Sequence, residues 1–241
     1  MFSVICVFID HSSGYGSINH QVAINSTETF KSKLTFEREA QSQGVAIKGY
    51  HTDNGIFNAS ECMDDLLKNQ KNIIFIGDDD SHQNGVAWCA IKPVVTMAKT
   101  MFMHSALRFP EDTLSTDNCP MAMDYSVWFY DWIPDMQLGL YTIGIWPRSR
   151  FDPVSETLKN CHVWVCPTYV LEPNLQKPEV NIPKWDTISQ RGFDIGFRKM
   201  HSTQVGLVLN FLTGSISPQY CVVFDDMLST VVSSTAADPE V

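Results

Sequence analysis

The spacing of apolar residues in the first forty-odd positions predicts a hairpin followed by a helix. FSVICVFI (2–9) and YGSINHQVAI (15–24) are rich in strand-forming residues, and the turn-forming DHSSG separates them. Two such runs joined by a short polar cluster predict a β-hairpin. The next stretch, STETFKSKLTFEREAQSQG, predicts a helix that is capped by Ser26 or Thr27 and that stops at Gly44.

The pattern then alternates between strands and helices. VAIKGYH (45–51) predicts a short strand, SECMDDLLKNQ (60–70) a short helix and NIIFIG (72–77) a buried strand. Two longer segments, 84–109 and 117–134, are apolar at helical spacing and predict helices. Strands that alternate with helices favour crossover connections, so we expect an α/β domain with a mixed sheet and flanking helices over residues 1–133.

The pattern of apolar and polar residues changes after residue 133. Residues 134–157 are irregular and contain Pro147 and Pro153 in addition to Pro134, which is typical of a linker. CHVWVCPTYVL, RGFDIGFR and VGLVLNFLTGSISPQYCVVFDD read as short strands joined by glycine, proline and polar turns. They predict a small all-β unit at 158–228. The polar end of the chain, 229–241, is expected to be disordered.

Composition narrows the classes of function. The 241 residues carry a formal net charge of −10, so long-range attraction to nucleic acid requires clustered basic residues. The seven cysteines form no C-x-x-C pair or regular framework, which favours reduced thiols in an intracellular protein. The apolar opening MFSVICVFI is too short to cross a bilayer. We therefore expect no membrane partner and no small-molecule cofactor.

Five short motifs occur along the chain in an order that matches a known family. FIDHSSGY (8–15), YHTDNGIF (50–57), HQNGVA (82–87), RGFDIGF (191–197) and SISPQYCVVFDD (215–226) together resemble the integrase region of copia-type retrotransposon Pol polyproteins. The resemblance extends over nearly all of the chain to about residue 230. It implies an RNase H-like mixed sheet with flanking helices, followed by a small SH3-like β-barrel.

The resemblance also implies a metal-dependent chemistry. Integrases of this kind use two Asp and one Glu to hold two Mg²⁺ or Mn²⁺ ions for phosphoryl transfer. Asp53, after the strand VAIKGY, matches the central Asp and would be the surviving metal ligand. The same Asp-Asn-Gly sequence is also a common turn.

The third carboxylate is replaced. HQNGVA should be followed by Glu and Arg, and the chain has Trp88 and Cys89 there, at a spacing from Asp53 close to that of the family. An indole has one N–H donor and no lone pair suited to Mg²⁺. Pro93 lies five residues further on in the same predicted helix, and it is expected to kink or break that helix.

The first carboxylate is expected to be missing as well. In families of this kind the first catalytic Asp lies on the strand before the one that FIDHSSGY ends. Asp10 is therefore a lookalike, expected to be a turn or strand-end residue, and the sheet is expected to lack its first strand. Residues 78–80 (DDD) lie too far from position 88 to replace the Glu and instead suit a helix N-terminus, with Asp80 or Ser81 as cap.

Nucleic-acid contacts are expected in two places. His82 and Asn84 lie in the HQNG motif, where His82 could either contact DNA or cap a helix. The three basic residues Arg191, Arg198 and Lys199 belong to the C-terminal β unit, which is the less acidic part of the chain. DNA binding is expected to be weak.

The sequence thus predicts an integrase-like protein, a polynucleotidyl transferase by descent, that is catalytically inactive and binds no metal productively. Two alternatives stay open: a non-catalytic module that binds DNA or protein, and a generic RNase H-like nuclease. The resemblance leaves homo-oligomer formation open, and it implies a nuclear location only if the chain acts as an integrase relative.

Overall fold

The computed structural model describes residues 4–52, 56–75, 85–109, 114–133, 159–171, 189–197 and 205–231. These contain four α-helices and nine β-strands. The chain divides into two compact units. The first comprises Met1–Ala98 with Ser126–Val154, and the second comprises Lys99–Tyr125 with Ser155–Val241.

The predicted hairpin is confirmed. Strand β1 (Val4–Ile9) pairs antiparallel with β2 (Gly16–Gln21) along its whole length. The turn closes because the Asp10 carboxylate accepts hydrogen bonds from the Ser13 amide (2.9 Å) and hydroxyl (2.6 Å). Gly14 has a φ of 74°, a conformation that glycine adopts without steric cost.

Helix α1 (Ser26–Ser42) forms as predicted, but its predicted cap is wrong. Asn25 is the N-cap, with extended backbone and a side chain that accepts a hydrogen bond from the Glu28 amide at 2.8 Å. An Asn at this position satisfies one of the free amides of the first turn as well as Ser or Thr does. The helix stops at Gly44, as expected, and this residue has a φ of 76°.

The second part of the first unit is a parallel crossover. Strand β3 (Gly49–Thr52) leads through a 3₁₀ turn at Ile56–Asn58 and helix α2 (Ser60–Lys68) to β4 (Asn72–Phe75). β3 and β4 pair in parallel, which confirms the βαβ connection. In the described residues β1–β2 and β3–β4 form two separate two-stranded sheets rather than one mixed sheet.

An aromatic cluster packs these elements together. The Phe8 ring of β1 stacks on Phe36 of α1, with ring centroids 4.7 Å apart. Tyr50 of β3 and Phe57 of the 3₁₀ turn approach Phe8 edge-on, at 6.4 Å and 6.2 Å. Such edge and offset contacts add stability beyond the area they bury. The core of the first unit therefore lies between α1 and the two small sheets.

The two long helices are α3 (Gly85–Arg108) and α4 (Cys119–Trp132). Ala90, Val94 and Ala98 of α3 are buried at a spacing of four residues, which identifies one packed face. α3 runs without interruption through Pro93, so the predicted break is wrong. Pro93 is exposed, so the carbonyl that it deprives of a donor can be hydrated.

The C-terminal strands form one antiparallel sheet. Strands β5 (Pro167–Leu171), β6 (Ser189–Phe197), β7 (Gly206–Asn210), β8 (Ile216–Gln219) and β9 (Val222–Phe224) lie in the order β8-β7-β6-β5-β9. The described part of 158–228 thus contains β-strands where the sequence predicts them, and the extent of an all-β unit over 158–228 stays a prediction. Within the described residues β8 and β9 are the two edges and do not pair, so the sheet is not a closed barrel there.

The second unit has its own aromatic core. Phe102 packs on Trp164 with ring centroids 5.0 Å apart, Phe109 packs on Phe193 at 4.8 Å, and Tyr125 packs on Phe197 at 5.6 Å.

The segment Lys99–Tyr125 thus belongs to the same unit as the sheet. The predicted domain boundary at residue 133 placed this segment in the first domain. The linker predicted at 134–157 and nearly all of the tail predicted at 229–241 lie outside the described residues.

Candidate functional site

Trp88 lies in the first turn of α3, on the side opposite the buried stripe. Its side chain is 59% exposed, although large apolar residues usually gain from burial. The exposed Lys92 follows one helical turn later. The position that the family resemblance assigns to a catalytic Glu is therefore accessible to solvent and holds an indole.

The other predicted catalytic residue is not described. Asp53 directly follows β3, whose last residue, Thr52, is buried. Asp53 itself, together with His82 and Asn84, lies outside the described residues, as do the acidic residues 78–80. The placement of Asp53 at the carboxyl end of a parallel strand thus follows from the chain alone, and its role stays a prediction.

Asp10 lies at the end of β1, and its carboxylate is engaged in the hairpin turn. One oxygen, Oδ2, accepts both hydrogen bonds from Ser13, and the Asp10 amide donates to the Tyr15 carbonyl at 2.8 Å. An Asp side chain that binds its own chain a few residues on is typical of a turn. The carboxylate of Asp10 therefore stabilises the hairpin turn, as expected for a turn residue.

The described residues do not form a metal site. They contain no group of three or more His, Cys, Asp or Glu side chains placed to hold an ion. Of the predicted catalytic pair only Trp88 is described, and an indole supplies no ligand for Mg²⁺ or Mn²⁺. The described donor set does not fit a two-metal centre, and we derive no catalytic step through one.

Of the predicted basic cluster, Arg191 is described. It is exposed on β6, and its guanidinium carbon lies 5.6 Å from the centroid of the Phe193 ring. A cation above an aromatic face at this distance is held in place while its N–H groups remain available to an anion. Arg198 and Lys199 lie outside the described residues.

Sequence reasoning missed a buried network of charges that involves α1, α2, β3 and the residue before β4. Lys33 has no exposed side-chain surface, and its ammonium lies 2.9 Å from Glu37 and also pairs with Asp65. Glu37 additionally accepts hydrogen bonds from Lys71 at 2.7 Å and from the Tyr50 hydroxyl at 2.6 Å. The network therefore links α1 to β3, to α2 and to the chain that enters β4.

These contacts shift the pKa values of Glu37 and Tyr50. Burial acts to raise the pKa of Glu37, but hydrogen bonds from Lys71, Tyr50 and Lys33 outweigh it, and the net pKa is lowered. Burial, the hydrogen bond to Glu37 and its negative charge raise the pKa of Tyr50. Glu37 is therefore held as an anion and Tyr50 as a neutral donor at neutral pH.

A sequence signal for this network existed. Thr29, Ser32, Lys33, Phe36 and Ala40 are the buried residues of α1, at spacings of three and four. Three of them carry polar groups, so an apolar stripe does not mark the packed face. A lysine at helical spacing from Phe36 and Ala40 is the feature that identifies it.

α3 has one further property that bears on partners. Among the described elements it is the one helix whose length and composition would allow it to cross a membrane. Packed helices of globular domains pass the same test, and Ala90, Val94 and Ala98 form a buried stripe of that kind. α3 also carries Lys92, Lys99 and Arg108 with no acidic residue.

No family model matches the chain, and no curated protein matches it either. Among solved structures, it is similar to a chain of the simian T-cell lymphotropic virus intasome in complex with PP2A regulatory subunit B56 gamma. The identity is 16% and the TM-score 0.49, over 91% of this chain and 71% of that one.

Two integrase cores are also similar. For the HTLV-2 integrase catalytic core domain in complex with magnesium, in its dimeric form, the identity is 19% and the TM-score 0.40, over 58% of this chain and 82% of that one. For the catalytic core domain of BIV integrase the values are 14% and 0.45, over 61% and 87%. Likeness at these levels leaves the family of this chain open, and what the structure itself establishes is a mixed α/β fold.

Proposed function

We propose that the chain is an integrase-like protein descended from a copia-type retrotransposon Pol polyprotein, and that it has lost DNA strand transfer. The observation that carries the loss is Trp88: the position where the motif HQNGVA requires a Glu is an exposed indole on an intact α3. A missing hard oxygen ligand cannot be replaced by a neighbouring apolar group. The two-metal chemistry would therefore lack at least this ligand.

The observed order of elements supports the proposed descent. A hairpin, a helix, a parallel βαβ crossover and a long helix that begins at HQNGVA follow one another in the first unit. An RNase H-like domain is expected to contain these elements, although a shared fold alone does not fix a function. The five-stranded antiparallel sheet is compatible with the SH3-like unit that we propose for 158–228.

The activity that we propose to remain is binding of DNA. Trp88 and Lys92 lie one turn apart on the exposed side of α3, and Arg191 lies exposed on β6. A lysine can contact a phosphate and an exposed indole can stack on a base. Either group of residues would also serve the alternative in which the chain is a non-catalytic module that binds DNA or protein.

The test of lost catalysis is an end-processing and end-joining assay. The purified chain is incubated with a labelled DNA end and Mn²⁺ or Mg²⁺, with an active integrase as positive control. We expect neither shortened nor joined products, because the exposed indole at position 88 supplies no metal ligand. Metal-dependent joining that disappears in Asp53→Ala would contradict the proposal.

The same protein is then offered an RNA–DNA hybrid. Absence of cleavage is expected if the chain has no working metal centre. Cleavage of the RNA strand that is lost in Asp53→Ala would favour the alternative of an RNase H-like nuclease. A control variant, Asp10→Ala, separates the two aspartates, because Asp10 is engaged in the hairpin turn.

A further inference from the structure

Asp194 is a carboxyl group that the fold buries. It lies in the middle of β6 and has no exposed surface. Among the described residues neither side-chain oxygen accepts a hydrogen bond of good geometry, although the Gly196 amide lies close enough to favour the charged form. A buried polar group of this kind costs free energy unless something compensates it. Its presence at the centre of a sheet therefore requires an explanation.

The main chain holds Asp194 in this position. Its amide donates to the Cys166 carbonyl at 3.1 Å, and its carbonyl accepts from the Val165 amide at 2.6 Å. The register of β6 on β7 shifts between Asp194 and Phe197, which is a β-bulge. These backbone contacts fix the face of β6 from which the carboxyl group projects.

The space around the carboxyl group is filled. A methyl group added at Gly206 would lie 3.2 Å from Asp194 Oδ1 and 3.3 Å from the Phe224 ring. Among the described residues, the titratable groups that act on Asp194 are Tyr125 of α4, Cys166 before β5 and Asp226 after β9. The Asp226 carboxylate accepts a hydrogen bond from the Val163 amide at 2.8 Å and lies 2.9 Å from the His162 ring, and its negative charge still acts on Asp194.

We infer that Asp194 is a proton-operated latch of the second unit: with a proton bound it is neutral and the sheet packs closed, and without the proton the packing of β6 on residues 161–166 and Tyr125 loosens. The reaction is the loss of one proton from the carboxyl group to water. No described Lys or Arg pairs with the resulting anion, and Asp226 repels it. The inference does not depend on the proposed function.

The acidity of the group agrees with this geometry. Burial raises the pKa of Asp194 to about 8, the Gly196 amide opposes the rise and the charge of Asp226 adds to it. In the unfolded chain an Asp has a pKa of about 3.9. Between these values the folded state holds one proton more than the unfolded state.

The sign of the pH dependence follows. Where the folded state binds the extra proton, stability falls as pH rises, and the unfolding constant grows up to about tenfold per pH unit. The slope disappears above pH about 8, once Asp194 is ionised in both states. The latch therefore opens on the alkaline side of neutrality.

Urea unfolding between pH 5.5 and 9.5 tests the latch, with Asp194→Asn and the exposed Asp117→Asn as matched variants. The native chain and Asp117→Asn are expected to lose stability as pH rises, at up to about tenfold in the unfolding constant per unit. Asp194→Asn is expected to lack that component. Equal pH profiles for Asp194→Asn and the native chain would overturn the inference.

A direct titration keeps the inference testable if Asp194→Asn does not fold. The ¹³C resonance of the Asp194 carboxyl group is followed from pH 5 to 9.5, alongside hydrogen exchange at the Val165 amide corrected for its intrinsic rate. A midpoint near pH 8 with faster exchange above it is expected. A carboxyl group already ionised at pH 6, or exchange that does not respond to its titration, would overturn the inference.

Discussion

Lys33 is a positive charge with no exposed surface, and it is held by two carboxylates. Its ammonium also lies 5.6 Å from the centroids of the Phe30 and Tyr50 rings. Breaking a buried pair costs more than forming one gains, because removal of one partner leaves the others uncompensated. Without Lys33, Glu37 and Asp65 would face each other across the α1–α2 contact with Lys71 as the remaining cation of the cluster.

We predict that Lys33→Met lowers the free energy of unfolding by about 3 kcal/mol, as expected for the loss of one partner of a buried ion pair. Urea unfolding at pH 7 measures the change. The matched control is Lys31→Met on the same helix, since Lys31 is 66% exposed and pairs with Glu28 at 2.9 Å. An exposed pair of this kind contributes about 0.5 kcal/mol or less. Similar losses in the two variants would show that the buried network is not stabilising.

At the scale of single residues the sequence was informative where chemistry is local. The turn role of Asp10 and the stop at Gly44 depend on neighbours within five residues, and both could be derived. The pairing of Lys33 with Asp65 could not be derived, because the fold brings the two residues together and their sequence spacing does not. The cap of α1 was misplaced by one residue because Asn25, Ser26 and Thr27 all suit an N-cap.

At the scale of elements, α3 differs most from expectation. A proline in a helix interior costs about 3 kcal/mol relative to alanine, yet α3 continues through Pro93 for four further turns. The buried residues Ala90, Val94 and Ala98 lie on both sides of the proline, so one face of α3 stays packed across it. Tertiary packing overrides the local preference.

We predict that Pro93→Ala raises the free energy of unfolding by about 1–2 kcal/mol. The new amide can donate to the Cys89 carbonyl, and the greater freedom of the unfolded chain offsets part of the gain. Lys92→Ala, at the adjacent exposed position, is the control and should change stability by about 0.3 kcal/mol or less. A loss of stability in Pro93→Ala would mean that α3 requires the geometry that the proline imposes.

Strand pairs that are close in sequence could be predicted, whereas pairs that are distant in sequence could not. The β1–β2 hairpin and the short β7–β8 connection are local, and turn residues specify them. The division of the first unit into β1–β2 and β3–β4 depends on strand edges far apart in sequence. Periodicity identifies strands but carries little information about which distant edges pair.

At the scale of the whole molecule, the predicted boundary and the observed units differ because of helix packing. The segment Lys99–Tyr125 contains the end of α3 and the start of α4, so its helical pattern assigns it to the α/β part of the chain. Phe102, Phe109 and Tyr125 pack on Trp164, Phe193 and Phe197 of the β part. Aromatic residues in a helix predict that the helix packs on another element, but the sequence does not identify that element.

Net charge sets the expected behaviour toward DNA. Residues 1–133 carry 9 basic and 16 acidic side chains, and residues 134–241 carry 8 and 11. Both parts repel a polyanion at long range, so binding requires a local cluster and weakens steeply with salt. Arg191, with Arg198 and Lys199 close behind it in sequence, is the densest group of cations in the less acidic part.

We predict weak binding of a fluorescent DNA duplex at 50 mM salt, with most of it lost by 200 mM, because each phosphate contact releases counterions. The triple variant Arg191→Gln, Arg198→Gln and Lys199→Gln should bind less tightly and show a shallower dependence on salt. The control replaces three exposed lysines of the first unit, Lys31, Lys48 and Lys68, with glutamine and changes the net charge equally. Anisotropy titrations separate the two cases. An equal loss in both variants would mean that overall charge rather than the Arg191 cluster governs binding, and tight binding that survives 200 mM salt in the first variant would place the contact elsewhere.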